Sequence, residues 1–246
     1  MSANRLTILI HGDAGTGKSW LADSAPGPRL VLDAELRSLY TPSTKREWVP
    51  SAEPMPTDVG PDETIVVKVR TFQDLETTYN YLLAGHPFNT IIIDSLTEVQ
   101  DRLIDVIAGT NQMQIQDWGR VLRDLAAYVR RFRDLRDHPT HPVWCMAMIA
   151  GSKANQSGKY IPMLQGQVAN RIPYWVDVVG YLKPQLEEGV LHRNLIIQPY
   201  IGAFDAKDNT GILTNEYGPI IRNPDLTEML KVLNKAPSGE EEDTNG

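Results

Sequence analysis

One cysteine, Cys145, stands in a chain of 246 residues. A single thiol excludes an internal disulfide and any cysteine-cluster zinc site. Because it lies in the apolar stretch 143–149, it reads as a buried core residue and not as a nucleophile. No run approaches the roughly 20 apolar residues that a membrane-spanning helix needs. The opening residues carry one arginine and a short apolar stretch, too little for a signal peptide. The expectation is a soluble protein of a reducing, cytoplasmic compartment with no membrane partner. His11, His86, His138, His141 and His192 show no metal-ligand spacing, and no internal repeat is visible.

Positive charge is also in deficit, with 24 Lys and Arg against 31 Asp and Glu, a net charge of −7. Taken alone, this balance argues weakly against a general polyanion binder. The acid is uneven, however, for Glu240, Glu241, Glu242 and Asp243 sit together at the end. A segment so poor in apolar residues cannot repay its ordering entropy, so 236–246 is expected to be a disordered acidic tail. Residues 1–235 are expected to form one domain, and 41% hydrophobic and 22% charged residues fit a globular chain.

Short β-rich runs alternate with amphipathic helices, which predicts an α/β fold with a mainly parallel central sheet flanked by helices. Strands are expected over 6–10, 30–32, 65–69, 90–93 and 143–149. Further strands over 176–182, 191–198 and 211–214 are expected as antiparallel additions at one edge. Helices are expected over 18–24, 72–83, 96–107, 116–136 and 224–233. The longest has Trp118, Val121, Leu122, Leu125, Val129, Phe132 and Leu135 at helical spacing, with Arg120, Arg123, Arg130, Arg131, Arg133 and Arg136 largely off that stripe. Residues 40–62 are rich in proline, serine and threonine without periodicity, and read as a surface excursion.

The chemistry is carried first by Gly12-Asp13-Ala14-Gly15-Thr16-Gly17-Lys18-Ser19, a full match to G-x-x-x-x-G-K-S/T, followed by Trp20. Such a loop wraps a phosphate with its backbone N–H groups, and a Cβ would block the turn or the approach. Lys18 supplies charge to the β and γ oxygens, Ser19 a magnesium ligand, and the helix N-terminus favours the anion. The ligand this predicts is ATP with magnesium. Asp94 ends the buried run Thr90-Ile91-Ile92-Ile93, where an acid can hold the water shell of the same magnesium. Glu35, after Leu30-Val31-Leu32-Asp33-Ala34, falls at a strand end near the γ-phosphate, where it could orient or deprotonate the attacking water.

The P-loop, Leu32-Asp33-Ala34-Glu35 and Ile92-Ile93-Asp94-Ser95 resemble, in order and spacing, the RecA-like recombinases. The chain is most similar to the compact RecA-like ATPases of bacteriophages that promote single-strand annealing and recombination, over about residues 5–215. The resemblance implies a RecA-like P-loop core in which Glu35 activates the hydrolytic water. It implies DNA-binding loops at 107–119 and 151–166, the second offering Lys153, Asn155, Gln156, Lys159 and Tyr160 for phosphate contact or base stacking. Ala206-Lys207-Asp208 resembles the segment whose lysine reaches the nucleotide of a neighbouring subunit. The implied partners are single-stranded DNA, other copies of the chain in a ring or filament, and a single-strand-binding protein. Two departures stand out: only Ser152 is available as a γ-phosphate sensor after 143–149, and Asn209 stands where a second cation is usual. Two rivals share the scaffold, a small-molecule or nucleotide kinase with 40–62 as its lid, and a hexameric helicase or packaging motor.

Overall fold

The computed structural model describes residues 4–37, 40–109, 111–199 and 203–235. The acidic segment 236–246 lies outside the described residues. β1 (Leu6–His11), β2 (Arg29–Asp33), β5 (Thr90–Asp94) and β6 (Cys145–Ala150) are buried at every position. Strands covered on both faces read as continuous apolar runs, as these do. Together with β3 (Thr44–Glu47), β4 (Glu63–Lys68), β9 (Val178–Glu187), β10 (Val190–Ile196) and β12 (Ile220–Arg222) they form a sheet ordered β12-β10-β9-β1-β6-β5-β2-β4-β3. From β9 to β3 every neighbouring pair is parallel, and β10 and β12 are antiparallel. β6 therefore lies between the P-loop strand β1 and the Asp94 strand β5.

Side-chain alternation divides the core between two faces. Leu9, Leu30, Leu32, Ile91, Ile93 and Met148 pack against α2 (Phe72–Ala84), α3 (Leu96–Ala108) and α4 (Ile115–Asp134). Ile8, Ile10, Val31, Ile92 and Ile149 face α1 (Lys18–Asp23), α6 (Ile212–Tyr217) and α7 (Leu226–Leu233). A short α5 (Val168–Arg171) lies between β8 (Tyr160–Pro162) and β9. The helix starts are specified locally. Ser95 accepts from the Glu98 N–H, Asp225 from the Glu228 N–H, and Thr71 with Asp74 forms a capping box.

Of the arginines on α4 and just after it, three have partners on other elements, while Arg120 and Arg123 are exposed and pair only with Asp124 of the same helix. Arg131 pairs with Glu76 at 2.9 Å, Arg136 with Asp177 at 3.1 Å, and Arg130 lies 5.3 Å over the Trp175 ring. Trp175 is buried as the sequence suggests, whereas Tyr174 is 82% exposed.

Four expectations are corrected. The excursion 40–62 contains β3, which pairs in parallel with β4 and precedes the buried Trp48; it is the end of the sheet. The strand over 176–182 is not an antiparallel addition, because β9 lies parallel to β1 and only its outer edge pairs antiparallel with β10. Of residues 211–214, expected as a strand, Gly211 is the N-cap and 212–214 the first turn of helix α6. Asp208 accepts four hydrogen bonds, from the backbone and hydroxyl of Thr210 and of Thr214, and these bonds wind the turn. Finally, 151–166 is not loop throughout, because β7 (Ser152–Ala154) forms a hairpin with β8 inside it.

Candidate active site

β1, β5 and β2 deliver their carboxyl ends to one cleft of about 800 Å³, lined by the P-loop, Trp20, Glu35, Arg37, Asp94, Arg102, Ser152 and Arg193, among others. Open parallel sheets present ligands at this edge. Gly12 follows β1 directly, and a Cβ there would stand 2.5 Å from the Leu182 carbonyl of β9. Gly17 has φ 95°, a left-handed value that opens α1 and turns its first N–H groups toward the cleft. Thr16 donates its hydroxyl to the Asp13 carbonyl at 3.0 Å. The Lys18 ammonium donates to the Gly12 and Asp13 carbonyls at 3.0 and 2.8 Å, so it lies folded across the loop. Burial lowers its pKa, and the carboxylates of Glu35, Asp94 and Asp13 oppose that. Half-exposed Trp20 forms a wall.

Ser19 donates its hydroxyl to Asp94 at 2.7 Å. Asp94 is 6% exposed, and burial pushes its pKa up to about 6. The Ser19 hydrogen bond and Lys18 hold it down, while Glu35 and Asp33 push it up. A hydroxyl and a carboxylate side by side, both oxygen donors, fit a hard cation such as magnesium whose other positions come from phosphates and water. Among the described residues no group of three or more His, Cys, Asp or Glu side chains could enclose a metal ion. The donor set therefore suits a metal that arrives with a nucleotide.

Glu35 is exposed at the cleft, two residues beyond β2. Its backbone N–H donates to the Asp94 carbonyl at 3.2 Å and that of Ala34 to the same oxygen at 2.7 Å, which fixes this turn against the end of β5. The remaining residues singled out from the sequence lie elsewhere. Lys207 is on β11 (Lys207–Asp208), paired with β9, and its ammonium donates to the Val176 carbonyl at 2.8 Å, away from the cleft. Lys153 donates to the Leu164 carbonyl, and Lys159 pairs with Asp205 at 2.9 Å. The Asn155 amide oxygen accepts from the N–H groups of Ser157 and Lys159, tying the hairpin turn where Gln156 is exposed. Tyr160 is 37% exposed and lies beside Tyr181 and Phe204. The other loop implied by the resemblance spans the end of α3 and the start of α4, with Ile115 at 94% exposure. Arg46, the cation that a lid would need, pairs instead with Glu63 at 2.9 Å.

Two residues of the site escaped the sequence reading. His11, fully buried at the end of β1, meets the Ser152 hydroxyl at 3.1 Å through Nδ1 and the Asp205 carbonyl at 2.7 Å through Nε2. A carbonyl only accepts, so Nε2 carries the proton and Nδ1 accepts from Ser152. Burial lowers its pKa to about 4, and Lys18 and Lys159 add to that, against the Asp205 carbonyl and carboxylate. Ser152, the one polar group at the sensor position, is thus engaged with His11. Arg193 of β10 lies over Gly17, where an added Cβ would meet its Nε. No local spacing marks either residue.

A protein-family model described as an AAA domain matches residues 4–210. Among solved structures the chain is similar to the flagellar accessory protein FlaH from Methanocaldococcus jannaschii, at 13% identity and TM-score 0.44 over 84% of each chain. No curated protein matches it.

Proposed function

The chain belongs to the AAA-domain family and is a P-loop ATPase, and from that premise we propose that it binds single-stranded DNA and promotes phage DNA recombination or strand annealing, hydrolysing ATP at sites between subunits. The P-loop amides and Lys18 bind the phosphates, while Ser19 and Asp94 hold magnesium. That ion, when bound, neutralises charge on the transferred phosphoryl group. The Glu35 carboxylate takes a proton from the attacking water as its oxygen bonds to the γ-phosphorus. The bond to the β–γ bridging oxygen breaks, releasing ADP and phosphate. Lys18 stabilises the charge that grows on the departing oxygens.

The observation that carries the DNA half is the His11 bridge. It joins the residue before the P-loop to Ser152 at the root of the β7–β8 hairpin and to Asp205, which in turn holds Lys159. Occupancy of the P-loop and the state of the hairpin then share one set of contacts. For DNA to be gripped, Lys159 exchanges Asp205 for a phosphate, and Lys153 leaves the Leu164 carbonyl. In the same reading Lys207 leaves the Val176 carbonyl and reaches the nucleotide of a neighbouring copy. ATP turnover with and without single-stranded DNA, on the native chain and on a Lys153→Gln/Lys159→Gln variant, tests this. Stimulation that the variant loses is expected. Turnover indifferent to DNA would remove the DNA role and leave the ATPase.

A further inference from the structure

We propose that Arg193 is a phosphate-binding residue of this cleft, supplied in the same chain as the P-loop and reaching the triphosphate from β10. The inference rests on the nucleotide reading of the cleft and adds to it a cation that the motif does not contain. Its backbone is clamped on two sides. It lies opposite Pro184 of β9, and its N–H donates to the Asn223 side chain at 3.0 Å while its carbonyl accepts from the Asn223 N–H at 2.6 Å. From that fixed root the guanidinium crosses the P-loop. A Cβ on Gly17 would meet Nε, with Cδ at 3.1 Å and Cζ at 3.3 Å. The glycine at position 17 therefore serves its left-handed φ and also leaves room for this side chain.

Arg193 lines this cleft with its guanidinium unanswered among the described residues. Its Nε is buried without a hydrogen-bond partner, and its guanidinium makes no ion pair among the described residues. The other half-buried cations of the cleft are held by carbonyls, although the Arg102 Nε is unpartnered too. Arg102 donates to the Arg70 and Ala34 carbonyls at 2.9 and 2.6 Å, and Lys18 lies across the loop carbonyls. A buried N–H left unpaired is unfavourable, and here it stands at the mouth of an anion-binding loop. A planar, permanently charged fork of donors matches phosphate oxygens in pairs. The sensor position after β6 offers only Ser152, whose hydroxyl His11 engages, so a cation from β10 reaches the phosphates from the opposite side.

Calorimetric titration with magnesium and ATP, and with ADP, tests this on the native chain, Arg193→Gln, Arg193→Lys and Lys18→Ala. Loss of a charged hydrogen-bonding group is expected to weaken ATP binding about 10- to 100-fold in Arg193→Gln. The melting temperature of the nucleotide-free protein stays as in the native chain, because the guanidinium has no partner to lose. Arg193→Lys is expected to fall between, since an ammonium cannot bind in pairs, and it carries the test should the glutamine variant not fold. Native affinity in the glutamine variant, or in the lysine variant if that alone folds, while Lys18→Ala loses binding, overturns the assignment and leaves the cleft reading intact. If the native chain binds neither nucleotide, both fall together.

Discussion

Replacing His11 with glutamine has consequences that can be worked from its contacts. The imidazole is fully buried and neutral, bridging Ser152 and the Asp205 carbonyl. Its folded pKa of about 4 lies below the ordinary imidazole value of 6.5, chiefly through burial. Between those values the unfolded chain binds the proton and the native chain does not. The stability His11 contributes is therefore complete above pH 6.5 and is lost as pH falls toward 4. The loss runs at up to about 1.4 kcal/mol per pH unit and totals on the order of 3 kcal/mol at pH 4. His86, lowered to about 4 mainly by burial with His138 and His141 assisting, follows the same sign. At neutral pH the glutamine variant costs about 1–3 kcal/mol if it leaves the Asp205 carbonyl unpaired. Imidazole NMR titration from pH 7.5 to 5 reads the pKa directly, and urea unfolding at each pH reads the linkage. Two histidine signals should stay neutral across that range, one of them absent from His11→Gln, whose acid slope should be shallower by about one proton. A His11 signal titrating near 6.5, or equal slopes in both proteins, would refute the reasoning.

Two further substitutions probe the frame around the site. Trp48 is 2% exposed, donates its indole N–H to the Glu53 carbonyl at 3.2 Å and meets Tyr81 edge-on at 5.4 Å. Trp48→Ala is expected to cost about 3–5 kcal/mol in urea unfolding with nucleotide affinity unchanged, and a cost near zero would show β3 to be loosely held. Gly12→Ala puts a Cβ 2.5 Å from a backbone oxygen of β9 and 3.2 Å from the Thr16 hydroxyl. Overpacking of about 1–3 kcal/mol and weakened nucleotide binding should follow, whereas native stability with native affinity would contradict that crowding.

The legible parts of the sequence are those whose signal is local. A P-loop spells its backbone in glycines, and Thr90 to Asp94 announces a buried strand ending in an acid. Strand partners are a property of the whole sheet, so β9 could be found as a strand but not as a parallel neighbour of β1. β3 was silent because Thr-Lys-Arg-Glu at a sheet edge contributes backbone pairing while its side chains stay largely in solvent. Ile212 and Leu213 looked like a strand because the determinant of α6, the Asp208 carboxylate, acts through Thr210 and Thr214. His11 and Arg193 reach the cleft through tertiary packing alone, one beside the motif without belonging to it and one far along the chain. The AAA-domain match supports the ATPase, while the roles of Glu35, Lys207 and the hairpin rest on the proposals above.

The most direct test of the central claim is ATP turnover at saturating magnesium-ATP by the native chain and by Glu35→Gln, with ATP affinity measured on both. Glu35 is fixed to the end of β5 by its own backbone, so the amide keeps the fold and the cleft. Native affinity and a turnover about 100- to 10,000-fold lower are expected, as removal of a general base requires. Undiminished turnover in Glu35→Gln would contradict that role of Glu35.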